Sequence, residues 1–379
     1  GNQTERWTNG LRSGLHWDLF DRLVHFRDPR LTVDFGYDPL GRRLYKLSKA
    51  HYRPRPEAGT GWNENEHARK ERALGCGFTL YGWDGDNLAW ESSPPPYAGA
   101  LGRTVHYIHE PGTFVPVAQA IRHETIRLVS QPTYTGRYNF IEDPLWTYKP
   151  TALPIDALAW YQCDHLGTPQ EMTDQNGNTA WSAQYKAWGE AQEQRSEFAQ
   201  QVGLTNPIRF QGQYHDHETG LHYNRHRYYD PRVGRFISKD PIGYSGGLNL
   251  YHYVSNPTGW IDPLGLQKVV ATNSRRSAMK KAQQHAQVPR LGRGGEAIPM
   301  KDLNLSSHGV NCNCMKSRGI TTLGRRDKNG VAEVFEHPDG HPDLVGDDQP
   351  AHHEIPHLHA TNTKGAVIVF TYPAGRKGI

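Results

Sequence analysis

Six of the chain's 21 histidines fall between residues 337 and 359, among Glu336, Glu354 and several aspartates. Glu336-His337-Pro338-Asp339-Gly340-His341 comes first, followed by His352-His353-Glu354-Ile355-Pro356-His357-Leu358-His359. Imidazoles and carboxylates at this density suit a divalent metal site, or a general base with helpers. Phosphodiester cleavage needs such a base to activate water or a hydroxyl. It also needs a metal ion or cations to stabilise the charge that builds in the transition state. On this reading His357 or His353 is the base, with Glu354 beside it. Glu336, His337 and His359 would ligate a divalent metal, Mg or Zn, while Arg325, Arg326 and Lys328 contact the phosphate of a nucleic acid. A surface histidine explains any one of these positions, but explains the cluster poorly.

Strands must hold these residues. Val331 to His337 alternates in polarity and ends in a Pro-Asp-Gly turn, and Gly365 to Tyr372 is a second strand-like run. His357 and His359 are separated by one residue, so an extended backbone puts both on one face. Upstream, Ser274 can cap a helix running to Gln287, whose Arg275, Arg276, Lys280 and Lys281 form either a basic face or an ordinary solvated one. The expectation is a small α+β unit. Gly292-Arg293-Gly294-Gly295 lacks the strand and spacing of a phosphate loop. Cys312-Asn313-Cys314 is too tightly spaced for a zinc knuckle by itself. The combined His-x-Glu and Pro-Cys-x-x-Cys set of nucleic-acid deaminases is absent.

The composition breaks at Leu266. Residues 267–379 carry a net charge of +6 and residues 1–266 a net −2, within an overall +4. All ten tryptophans precede the break, the last being Trp260. A basic tail is compatible with a polyanionic partner. A mean hydropathy of −0.76 would suit disorder, but an aromatic content of 11% argues for a folded core. No apolar run approaches the roughly 18–20 residues of a membrane span. Four cysteines make no disulfide framework in a chain of 379 residues, a length that allows two or three domains. The first residues show neither an initiator Met nor a signal pattern, and read as the interior of a longer chain.

The first two thirds carry a degenerate repeat. Copies run from Phe35 to Leu44, Leu80 to Leu88, Tyr161 to Pro169 and Gln213 to Tyr223. Their shared grammar, aromatic–x–Asp–x–x–Gly, reads as a strand, an Asp-initiated turn, a glycine at positive φ and a returning strand. Glu91 to Pro154, with Pro94-Pro95-Pro96, reads instead as loops or an insertion.

The block from Gly220-Leu221-His222-Tyr223-Asn224-Arg225-His226-Arg227-Tyr228-Tyr229-Asp230-Pro231, through Gly234-Arg235-Phe236-Ile237-Ser238-Lys239-Asp240-Pro241, to Asp262-Pro263-Leu264-Gly265-Leu266 closely resembles the terminal core segment of the Rhs/YD-repeat polymorphic toxins. The resemblance, with the weaker repeats, covers roughly 1–266 and stops at Leu266. It implies a mainly β fold: a YD-repeat β-shell fragment (1–219), a core terminal segment (220–266) and a variable toxin domain (267–379). It also implies self-cleavage after Leu266, with Asp240 and Asp262 at the family's two aspartate positions and Arg227 at an associated basic one. Paired carboxylates suit hydrolysis because sharing a site drives their pKa values apart. Both Asp-Pro pairs also read as plain turn starters, the role expected of Asp230. The resemblance further implies a secreted interbacterial toxin acting in the target-cell cytoplasm, a cognate immunity protein, chaperone and secretion-apparatus partners, and type VI delivery as the usual route. The His-rich tail loosely resembles HNH/endonuclease VII nucleases. Those place a helix after the catalytic strand, whereas the residues after His359 read as a strand, which leaves room for a metal-independent ribonuclease. An ADP-ribosyltransferase is a competitor, although no convincing Glu-x-Glu or Arg/Ser-Thr-Ser/Glu set is present. A non-catalytic β-repeat surface or delivery protein is the alternative of a different class.

Overall fold

The computed structural model describes residues 1–266 apart from 97–98, 130–137, 142, 150–152 and 247–248. Beyond Leu266 it describes 269–271, 279–280, 282–283, 296–299, 322–326, 333–337, 357–361 and 367–371.

Local turn chemistry sets the strands of the first sheet. The Oδ1 atom of Asp18 accepts from the backbone N–H of Phe20 and Arg22, both at 2.9 Å. Asp164 does the same for Leu166 and Thr168, and Asp174 for Asn176 and Asn178. A side chain that satisfies two turn amides fixes the reversal before any packing occurs. Arg22 and Arg42, four residues on, close two of the turns with Nε 2.7 Å from the aspartate Oδ2. At the residue just before each aspartate the register shifts, at Trp17, Tyr37, Trp83, Cys163 and Thr173. Each bulge raises the local twist.

The strands are β1 (Glu5–Thr8), β2 (Leu11–Trp17), β3 (Leu23–Arg27), β4 (Leu31–Tyr37) and β5 (Arg43–Ala50). After helix α1 (Thr60–Leu74) come β6 (Phe78–Asp84), β7 (Asn87–Ser93), β8 (Arg103–His109) and β9 (Pro116–Arg122). The sheet ends with β10 (Ala157–Cys163), β11 (Pro169–Thr173), β12 (Thr179–Tyr185) and β13 (Ala191–Arg195). All thirteen pair antiparallel in chain order. The expected insertion between Glu91 and Pro154 is therefore much shorter. Strands β8 and β9 sit mid-sheet, with Val105, Tyr107, Ala118 and Ala120 buried. Their turn is led by Glu110, whose carbonyl accepts from Thr113, so a search for aspartates passes over it.

A second antiparallel sheet holds β14 (Tyr214–Asp216), β15 (Leu221–Asn224), β16 (Arg227–Asp230) and β17 (Arg235–Phe236). The first sheet wraps around it. Arg6 of β1 lies 3.4 Å from Asp230, while the carbonyl of Trp188, between β12 and β13, accepts from the Tyr229 hydroxyl at 2.9 Å. Thirteen strands laid flat would span about 60 Å. Both ends nonetheless reach neighbouring residues of β16, so the sheet curls. Phe35, Tyr81 and Trp83 line the concave side against Tyr228, Tyr214 and Tyr223, with ring centroids 5.8, 5.5 and 5.9 Å apart. Buried charge bridges the same interface: Arg43 meets Asp216 at 2.6 Å and Lys46 meets Glu218 at 2.9 Å. The fold is mainly β, as expected, and Cys76 and Cys163 are free thiols. Among the described residues no helix is long and apolar enough to cross a membrane.

In the tail, β18 (Val269–Ala271), β19 (Glu296–Pro299), β20 (Thr322–Arg326), β21 (Glu333–His337), β22 (His357–Thr361) and β23 (Val367–Thr371) form one sheet in the order β18-β23-β22-β21-β20-β19. The strands expected around residues 331–337, 357–359 and 365–372 are all present. Residues 279–280 and 282–283 are helical, inside the expected 274–287 helix.

Candidate functional site

A two-residue turn, Arg225-His226, joins β15 to β16 and puts Arg227 opposite Asn224. From this position the Arg227 guanidinium gathers three distant groups. Its Nη2 lies 3.1 Å from Asp240 Oδ2 and 3.3 Å from Asp262 Oδ2. Its Nε donates to the carbonyl of Gly265, and its Nη1 to that of Leu250 at 3.2 Å. The guanidinium lies 3.6 Å from the centre of the Phe236 ring, which closes one face.

The segment that would be cut is held just as closely. Leu266 N–H donates to Asp262 Oδ1 at 3.0 Å, and Gly265 N–H to the Asp262 carbonyl at 3.3 Å. Asn224 Nδ2 holds that same carbonyl at 2.9 Å, and His226 N–H donates to Leu264 O at 3.3 Å. Asp240 opens a turn of its own, accepting from Ile242 N–H at 3.1 Å. Each aspartate is thus a turn starter, as one sequence reading expects, and also a partner of Arg227.

All three charges are buried, with Arg227 2% exposed, Asp262 1% and Asp240 8%. Burial pulls the Arg227 pKa below its ordinary value, and the two carboxylates oppose that. One cation against two ionised carboxylates would leave a net buried negative charge, which is costly.

Asp230 sits elsewhere, in the turn expected of it, accepting from Arg232 N–H at 3.0 Å. In the tail, the β21–β22 register sets His337 opposite His357 and Phe335 opposite His359. These positions alternate along their strands with Val334, Leu358 and Ala360, which are buried. Glu336 pairs with Leu358 in that alternate set, and Arg325 and Arg326 lie on the neighbouring β20. His353, Glu354 and Lys328 lie outside the described residues, as do Cys312 and Cys314. Sequence reasoning passed over Asn224, His226 and Gly212. A Cβ on Gly212, at φ +77, would meet Pro263 O at 1.8 Å, so only glycine lets the 262–266 segment seat.

A family model described as RHS protein matches residues 158–195, the stretch from β10 to β13. Over 275 residues the chain is 36% identical to double-stranded DNA deaminase toxin A of Burkholderia cenocepacia, a match covering 70% of this chain and 16% of that protein. It is 37% identical over 278 residues to toxin protein Tse5 of Pseudomonas aeruginosa, covering 70% and 18%. The probable deoxyribonuclease RhsA of Dickeya dadantii is 48% identical over 103 residues, or 27% of this chain and 7% of that one. The chain therefore spans less than a fifth of the length of these relatives. Among solved structures, the crystal structure of TcdB2-TccC3 aligns with 70% of this chain and 11% of its own, at 21% identity and a TM-score of 0.47. An RHS match within the wrapped sheet, and more than a third identity to such toxins over most of the chain, show that the protein belongs to the Rhs/YD-repeat family.

Proposed function

We propose that residues 220–266 cut the chain after Leu266, and that the released 267–379 region is an interbacterial toxin that attacks nucleic acid. One observation carries the first half: a single Arg227 nitrogen contacts Asp240 and Asp262 together, while Asp262 also holds Leu266 N–H. The ionised member of the pair takes a proton from water, whose oxygen adds to the Leu266 carbonyl carbon. The protonated member gives its proton to the carbonyl oxygen. Collapse breaks the C–N bond, the Gln267 nitrogen leaves with a proton, and a carboxylic acid and an amine result. The protonation states belong to the pair and not to either aspartate. Asp240→Asn or Asp262→Asn should leave one chain on a denaturing gel where the unchanged protein gives two. Continued cutting after Leu266 in either variant would reject the dyad.

The second half draws on relatives named as a deoxyribonuclease and a DNA deaminase, and on His337 and His357 sharing a register position. In this reading His357 is the base and Mg or Zn is held on the face that His337 and His359 share with it, Glu336 alternating to the other face of β21 and so falling out of the expected ligand set. The protein is secreted with an immunity partner and delivery partners to act in the target cytoplasm. A second reading has support of its own: β23, a strand, follows β22 where HNH-like nucleases carry a helix, which favours a metal-independent ribonuclease with a sheet-borne histidine. Producing 267–379 in bacteria should arrest growth and degrade plasmid or RNA, and His357→Ala should relieve the arrest. Loss of activity on chelation selects the metal reading, and persistence selects the other. Harmless production of a folded tail would sink both.

A further inference from the structure

The turn that carries Arg227 is itself gripped by the wrapped sheet. Arg225, its first residue, has φ +50, a left-handed conformation unusual for a side chain of this size. Such strain persists only where the surroundings over-determine it. Here they do. Arg225 Nε lies 2.5 Å from Asp86 Oδ1 in the β6–β7 turn, and its Nη2 donates to Leu40 O in the β4–β5 turn at 3.0 Å. Those two turns are tied to each other by Arg42 Nη1 to Gly85 O at 3.2 Å. The Arg225 and Asp86 side chains are only 8% and 13% exposed, so the pair is largely shielded from solvent. On the other side of Arg225, His226 N–H holds Leu264 O and Arg227 holds both aspartates. One residue thus connects two hairpins of the outer sheet to the site.

We propose that Arg225 is a positioning residue which makes self-cleavage conditional on the wrapping of the outer sheet, with Asp86 and the Leu40 carbonyl as its receptors. The inference rests on the self-cleavage reading above. Until β4–β5 and β6–β7 dock, only the pairing of β15 with β16 favours the left-handed conformation of Arg225, and its side chain has no anchor. The β15–β16 turn then cannot present Arg227 and Leu264 in register. The device would prevent release of the tail from a shell that has not yet closed.

The test is a pulse-labelled cell-free synthesis of the full chain, following conversion of labelled chain to two fragments after a chase. Folding of 1–266 is read in parallel by resistance to trypsin. Arg225→Ala and Asp86→Ala should slow conversion about tenfold or more while protease resistance is kept, as expected when catalytic groups are misplaced by a fraction of an ångström. Arg225→Lys keeps a cation at Asp86 and should recover most of the rate, a rescue that a packing role alone would not give. Should the Ala variants lose resistance, Asp86→Asn, which keeps the shape and removes the charge, carries the test. Trypsin-resistant variants that convert at the unchanged rate overturn the proposal. Asp240→Asn serves as the reference. If it too is cut, the dyad has failed; if it stays whole while Asp86→Asn cuts normally, only the Arg225 inference has failed.

Discussion

Buried histidines in the second sheet set a pH dependence at the scale of single residues. His222 is 1% exposed, its Nδ1 is 2.9 Å from Gln213 Oε1, and its ring is 5.3 Å from that of His215. Burial, then His215 and Arg209, push its pKa well below the usual value. Burial and Arg209 take His215 to about 3, with Asp216 opposing. Both rings are therefore neutral in the folded protein, and the unfolded chain binds their protons first. Stability is complete above about pH 6.5 and falls as pH drops toward the folded values, by up to about 1.4 kcal/mol per pH unit for each ring. The unfolding midpoint should thus decline between pH 7 and pH 4.5. His222→Gln, which can still bond Gln213, should flatten that decline; an equal slope in the variant would count against it.

The turns are the elements that matter most, since they place both the strands and the site. Asp164 and Asp38, each with a glycine three residues on and an aromatic residue (Tyr161, Phe35) three before, were legible from the sequence as turn starters. Two turns of the same build were not. In the turn after Asp18 the positive φ belongs to Asp21, not to a glycine, and Asp174 has Glu171 three residues before it in place of an aromatic residue. In each the backbone N–H four residues on donates to the aspartate Oδ1, because that bond needs only the carboxylate and a residue that tolerates positive φ. Gly212 belongs at this scale as well. Gly212→Ala adds a methyl that would collide with the Pro263 carbonyl and push the 262–266 segment off Arg227. It should abolish self-cleavage while costing about 1–3 kcal/mol of stability. Gel analysis together with denaturant unfolding would check this, and normal cutting in the variant would show that the seat is unimportant.

For the molecule as a whole, the wrap decides what touches what. Arg43 lies 4.5 Å from the Tyr81 ring centre and 4.6 Å from that of Tyr223, and pairs with Asp216 across the two sheets. Asp216 is itself fully buried. Arg43→Met leaves that carboxylate with only the longer contact to Lys46, 3.4 Å away, and should cost about 3–5 kcal/mol. All ten tryptophans precede Leu266, so urea unfolding followed by their fluorescence reports this part alone. A loss below about 1 kcal/mol would mean that the charged bridge contributes little beyond its packing.

By itself the sequence determined the mainly β class, the Asp-led hairpins, the break in composition at Leu266 and the strand that carries His357 and His359. Each of these is written in local spacing, and turn hydrogen bonds and strand alternation act over only a few residues. The aspartates were found through family resemblance, and their partnership was decided by the tertiary structure. Arg227 and Asp262 stand 35 residues apart, and only the seating of the terminal segment on β15 and β16 brings them to 3.3 Å. The curl of the thirteen strands and the hold of Asp86 on Arg225 are also products of packing. Bulges at successive turns add twist, and the aromatic faces gain most by closing around a second sheet.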